Sequence, residues 1–249
     1  MKVYHLCLYF MCLLSFAQNK VLVASYDIYY DTHVPHKKIA KLYYDTKSSE
    51  SVFIEDLEKH PWNSPTQTEL MTMTLEKKMN ARYLVYKHLS SSLVMFEDFA
   101  KLIYQVQEYY PNYQWNITKD EKLIGSILCQ KAEGFYRGTR FEAWFAKEIH
   151  ISSGPWKFHG LPGLIVEVQS ENTKYKYVLT SIKWENEMTK ELPVAEKVID
   201  KQAFEKLKED FISETAQKSA PRGAIVTTTK NSRQGYLESI YEWEEDSQK

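Results

Sequence analysis

Apolar and polar residues alternate with period two through most of this chain, the pattern of strands with one face buried and one face wet. The alternating runs span 21–30, 39–45, 51–56, 81–88, 92–98, 102–110, 113–118, 123–136, 139–151, 164–170 and 175–184. Short polar or turn-forming stretches separate several of them, among them a serine-rich turn before residue 92, Pro111-Asn112, and Glu171-Asn172-Thr173. Such spacing predicts antiparallel neighbours joined in sequence order. One segment changes period. Over 200–217, Phe204, Leu207, Phe211 and Ile212 recur at helical spacing, and Asp200 is placed to cap the start. A second short helix is expected near 69–79, with loops near 63–68 and 217–222 and a frayed acidic tail. The predicted fold is mainly β (α+β): a single curved antiparallel sheet or incomplete barrel with one or two packed helices, the sheet wrapping around the firm helix.

Composition narrows this picture. Apolar residues make up 43% of the 249 and charged residues 26%, ordinary globular usage that argues against wholesale disorder. With 32 basic and 33 acidic residues the net charge is −1, so no global field points to nucleic acid or to an anionic membrane. Tyrosine is abundant at 18 against 8 glycines, which reinforces the β reading.

The first residues follow different rules. One lysine precedes an apolar core, Leu6 to Ala17, too short to span a bilayer comfortably, and Ser15-Phe16-Ala17 offers small residues where a signal peptidase reads. The expectation is a signal peptide over 1–17, a single domain over 18–249, and a periplasmic or extracellular location. No transmembrane span is expected after cleavage. Cleavage would leave Cys129 as the one cysteine, hence no internal disulfide and a buried, inert thiol.

The strongest punctuation lies in GPWKFHGLPGLI, 154–165, which holds three of the eight glycines and two of the eight prolines. Prolines fix φ, and glycines allow tight bends or close backbone approach. Two readings are open. The stretch is either a rigid connection pinned to the core by its apolar residues, or a preorganised binding lip with aromatic anchors.

The same stretch carries a resemblance. Gly160, Leu161, Pro162, Gly163, Leu164 and Ile165 spell the motif of the GLPGLI family, exported proteins of unknown function from one group of Gram-negative bacteria. Further ordered matches support it: Ile124 with Cys129-Gln130-Lys131-Ala132; Arg137-Gly138 with Phe141, Ala143, Trp144 and Phe145; Glu148-Ile149; and Gly154-Pro155-Trp156-Lys157-Phe158. Together they cover about 115–168. Ser126-Ile127, Thr139 and His150 depart from the family pattern. The resemblance implies export and no particular reaction.

Chemistry-bearing motifs are sparse. His150, His159, Glu142, Glu148 and Glu167 lie close in sequence. Glu142 and Glu148 would share a strand face, but six strand positions separate them by roughly 20 Å, too far for a hydrolytic carboxylate pair. The chain lacks G-x-S-x-G, H-E-x-x-H and phosphate-cradling glycine loops. His33 and His36 beside Asp31, with Met71 and Met73, make only a weak case for copper. The sequence therefore predicts no catalytic or metal-ligating residue and no cofactor. It predicts a non-enzymatic envelope protein that binds an apolar ligand or a protein partner. The candidate binding residues are Arg137, Trp144, Trp156, Lys157, Phe158 and His159. An envelope hydrolase is the alternative.

Overall fold

The structure is a computed structural model and describes residues 20–32, 35–58, 60–61, 79–87, 90–188, 190–219 and 237–245. The expected signal peptide, the loop near 63–68, the helix near 69–79 except its last residue, His33, Met71 and Met73 lie outside those residues. The strands are β1 (Val21–Tyr30), β2 (His36–Asp45), β3 (Ser51–Asp56), β4 (His60–Pro61), β5 (Ala81–Lys87), β6 (Ser92–Phe99) and β7 (Leu102–Tyr109). They continue with β8 (Asn116–Ile124), β9 (Ile127–Tyr136), β10 (Thr139–Ala146), β11 (Leu164–Ser170), β12 (Tyr175–Glu185) and β13 (Lys197–Asp200). Helix α1 is Lys201–Ser219 and α2 is Glu242–Glu245.

All thirteen strands form one open sheet, in the order β13-β7-β6-β5-β3-β2-β1-β12-β11-β10-β9-β8, with the two-residue β4 on the end of β2. Two meanders build it, β1 to β7 and β8 to β12, and the antiparallel β1–β12 pair joins them over the full length of β1. Serial hairpins satisfy ladder hydrogen bonds with neighbours already close in sequence. The chain must then cross from β7 at one side to β8 at the far edge. It does so through residues 110–115, where Tyr113 is buried against Phe158, Phe141 and Tyr136. The Phe135 N–H donates to the Tyr113 carbonyl at 3.0 Å. The two meanders thus curl toward each other and leave a seam between β7 and the end of β9, as an incomplete barrel does.

Alternation sorts the faces. Phe141, Ala143 and Phe145 of β10 join the main core with Tyr26, Ile28, Phe53, Leu84 and Val106. Trp144 and Ala146 face the other way, into a small cluster with Cys129 and Val166.

Several details differ from the sequence expectation. The run 123–136 contains a two-residue turn at Gly125-Ser126, with Ile124 paired to Ile127, so it belongs to two strands. β10 ends at Ala146, where a bulge after Trp144 shifts the register. β13 was not expected: it is short, mostly exposed, and parallel to β7. The Asp200 carboxylate accepts the Ala203 N–H at 2.8 Å, the cap the sequence predicts. The sheet does not wrap around α1. That helix leans on the β7 side, where Phe204 packs against Phe99 and Tyr104. Phe211 and Ile212 remain exposed. What fills the concave face is the β10–β11 connection.

Candidate functional site

The connection is built by its sequence to go inward. Residues 153–158 are buried without interruption. Trp156 adopts φ of +50°, a conformation costly for a bulky residue, and the Phe158 N–H closes the bend on the Pro155 carbonyl at 3.0 Å. Strand tyrosines and a tryptophan hold the inserted backbone. Tyr86 donates to the Trp156 carbonyl at 2.7 Å, Tyr26 to the Ile165 carbonyl at 2.7 Å, and Trp115 Nε1 to the His159 carbonyl at 2.8 Å. Phe158 is the hub, with ring contacts to Tyr113, Phe141, Trp156 and Tyr177. Leu161, Leu164 and Ile165 are buried, whereas Gly160 and Pro162 are exposed. Gly163 packs flat on β10: a Cβ there would stand 2.2 Å from the Ala146 carbonyl oxygen.

This plug carries a charge inside. Lys157 is 1% exposed. Its ammonium pairs with Glu108 and, at 2.7 Å, with Glu238. Glu108 occupies an inward position on β7, in the row of Tyr104 and Val106. Arg137 reaches the same cluster from the β9–β10 turn. That turn has φ of +46° at Arg137 and +80° at Gly138, which matches a two-residue hairpin loop with both central residues left-handed. The Arg137 guanidinium pairs with Glu108 at 2.9 Å, with Glu238, and through Nε with Glu242 at 3.0 Å. It also stacks over Tyr136 and Tyr241, 4.8 Å from each ring centre. At the start of α1, Lys201 pairs with Glu205 at 2.6 Å and faces Glu238 at 3.9 Å.

Three buried cations thus meet Glu108, Glu205 and Glu238. Burial alone would raise the Glu238 carboxyl, but Lys157, Lys201 and Arg137 overrule it and hold the group well below the usual carboxylate range. Burial opposes the charge on Lys201, and Glu238, Tyr241 and Glu205 overcome it, so its ammonium is raised.

A cleft of about 600 Å³ opens beside the cluster, at the seam. Tyr109, Tyr110, Phe135, Tyr136 and Trp243 supply its rings, and Glu108, Arg137, Lys201 and Glu242 reach it from the ionic cluster. Tyr109 is 89% exposed and Phe135 is 50% exposed.

The candidate residues therefore separate. Arg137 lines the cleft. Trp156, Lys157 and Phe158 are interior. His159, which follows them, is half-buried and caged by the rings of Tyr86, Tyr110 and Tyr113, with its Nδ1–H donated to the Lys157 carbonyl at 3.1 Å. Trp144 lies on the opposite face of the sheet. There it donates to Glu142 at 2.8 Å and carries Lys122 over its ring. Trp144 and Trp156 do not form one surface, because a strand and the connection that follows it can deliver residues to opposite faces.

The possible acid–base residues are dispersed as well. Glu142 pairs with Lys131, and Glu167 with Lys122 and Lys176. Cys129 is buried, and that burial pushes its thiol up to about 11. Among the described residues no group of three or more His, Cys, Asp or Glu is placed to hold a metal ion.

A family model matches this part of the chain. It is described as a protein of unknown function (Porph_ging), and the match runs over residues 136–167, from the end of β9 through the plug to the middle of β11. The matched segment thus contains Arg137, Lys157 and the GLPGLI hexapeptide. No curated protein matches the chain. Among solved structures, PNGF-II in two space groups is similar at 12% identity, with TM-scores of 0.49 and 0.47. Each likeness covers 76% of this chain, which spans only about a third of the PNGF-II chain.

Sequence reasoning missed Glu108, Lys201, Glu238 and the seam rings. The one available signal was Glu108 standing in the apolar row of β7, a charge where alternation calls for a core residue.

Proposed function

We propose that the protein is an exported, non-enzymatic binding protein of the GLPGLI type, and that it takes an apolar ligand or the apolar side chains of an envelope partner at the seam cleft. The apolar N-terminal stretch over 6–17 supports export. One observation carries the binding reading: a concave site ringed by aromatic side chains, two of them well exposed, beside a rigid, plugged core. Exposed rings grouped at one opening suit a ligand better than they suit water. The floor favours binding over hydrolysis, because Glu108 and Glu238 are committed to Arg137 and Lys157 and neither stands ready as a base.

The test is recovery of ligand from envelope-purified protein. Native mass spectrometry of the parent should show a bound apolar molecule or partner. Tyr109→Ala and Phe135→Ala should lose it while melting within a degree or two of the parent, since both side chains are largely exposed. A parent that carries nothing, or variants that retain the full load, would overturn the reading.

A further inference from the structure

The ionic cluster holds a carboxylate that does not belong to the sheet. Glu238 sits in the last described segment, Leu237 to Glu245, which pairs with no strand of the sheet. Most of its attachments are to Arg137. The Ser239 and Ile240 N–H groups donate to the Arg137 carbonyl at 2.9 and 3.0 Å, and Ser239 Oγ adds a third donor at 3.2 Å. Glu238 and Glu242 accept from the Arg137 side chain, and Tyr241 and Trp243 flank its guanidinium. Remove Glu238, and the three buried cations Arg137, Lys157 and Lys201 keep two buried acids, Glu108 and Glu205; the third acid, Glu242 on Arg137, is 62% exposed at the rim. Glu238 is also the outer of the two acids that share Arg137 and Lys157, with its side chain 13% exposed against 3% for Glu108.

We propose that Arg137, Lys157 and Lys201 form a carboxylate-binding site, and that Glu238 is its intramolecular occupant. The site is built for a single carboxylate. One oxygen takes Arg137 and Lys157, and the other faces Lys201. Arg137 supplies the planar donor that carboxylates favour, and the two lysines add charge from other elements. A ligand carrying a carboxylate competes with Glu238 and with it displaces the Leu237 to Glu245 segment from the cleft. Where its body is apolar, that body reaches the rings of Tyr109 and Phe135; this last preference alone rests on the cleft reading above.

The experiment uses the full chain with Glu238→Ala. Its melting temperature should fall by about 10 °C, because a buried charge group has lost its counterion. Sodium acetate should restore most of that loss in a saturable way. Sodium chloride at the same ionic strength should not, and acetate should leave the parent unchanged relative to chloride. The double variant Glu238→Ala/Lys157→Met should lose the acetate response. If Glu238→Ala does not fold in buffer, refolding yield is read instead, and it should rise with acetate and not with chloride. Equal effects of acetate and chloride on Glu238→Ala, by either readout, would overturn the site. An acetate response kept after Lys157→Met would do so too. Comparing 4-phenylbutyrate with acetate separates the two proposals. Tighter binding of phenylbutyrate, lost in Tyr109→Ala, supports both. Equal binding of the two anions leaves the carboxylate site standing and counts against the apolar cleft.

Discussion

Gly163→Ala is the smallest change that should damage this fold badly. The added Cβ would lie 2.2 Å from the Ala146 carbonyl oxygen, 2.8 Å from its carbon and 3.1 Å from Phe145 Cδ2. An ordinary carbon–oxygen contact is about 3.3 Å, so the two backbones must part by roughly 1 Å. Neither can give way cheaply. Ala146 is the last residue of β10, paired with Leu164 on one side and Cys129 on the other. A shift there also stretches the Leu164 N–H bond to the Ile149 carbonyl, 3.0 Å in the native fold. Overpacking costs about 1–3 kcal/mol, and weakening this bond and the Ile149 N–H bond to the Ala146 carbonyl, 3.2 Å in the native fold, adds about 1 kcal/mol each, so the total is about 3–5 kcal/mol. For a chain of this size that lowers the melting temperature by about 10 °C. Gly125→Ala is the control. Nothing lies within 4 Å of its added Cβ, and only its φ of +62° opposes the change, at a cost of about 1 kcal/mol. Urea and thermal unfolding of both variants decide the matter. If Gly163→Ala loses no more than Gly125→Ala, the close approach of the plug to β10 is not what requires glycine.

Two further outcomes follow from the same contacts. Trp156→Ala empties a buried site between Phe158 and the Lys157 ammonium and should cost about 3–5 kcal/mol in urea unfolding; a melt like the parent's would mean that the ring does not support the plug. Acid should destabilise the protein through Glu238 and through Glu55, a buried carboxylate on β3 that Arg82 and Lys38 hold low against the effect of burial; both folded carboxyls titrate below 4.5. The unfolded chain then binds more protons than the folded one as pH drops through 4.5, so the urea midpoint should hold above that value and fall below it, and less steeply in Glu238→Gln; a midpoint flat from about pH 5 to pH 3 would refute the assignment.

The strand positions were legible because period two is a local property: β1, β3 and β11 carry their alternation whatever they pair with. The cap at Asp200 was legible for the same reason, since it depends on three residues of chain. The inward turn of GPWKFHGLPGLI was half legible. Its glycines and prolines announced a rigid connection, but both a core plug and a binding lip satisfy that composition, and only the donors on Tyr26, Tyr86 and Trp115 draw it inside. Trp144 and Trp156, twelve positions apart, looked like one surface until a sheet came between them. The ionic cluster was out of reach altogether. Glu108, Arg137, Lys157, Lys201 and Glu238 come from a strand, a turn, the plug, a helix start and a distant segment. A charge deserves burial only where its counterions arrive, and nothing in local pattern records which far-off residues will share a dry site. The curling of the sheet decides that, by bringing β7 to the end of β9 and leaving the seam where all five meet.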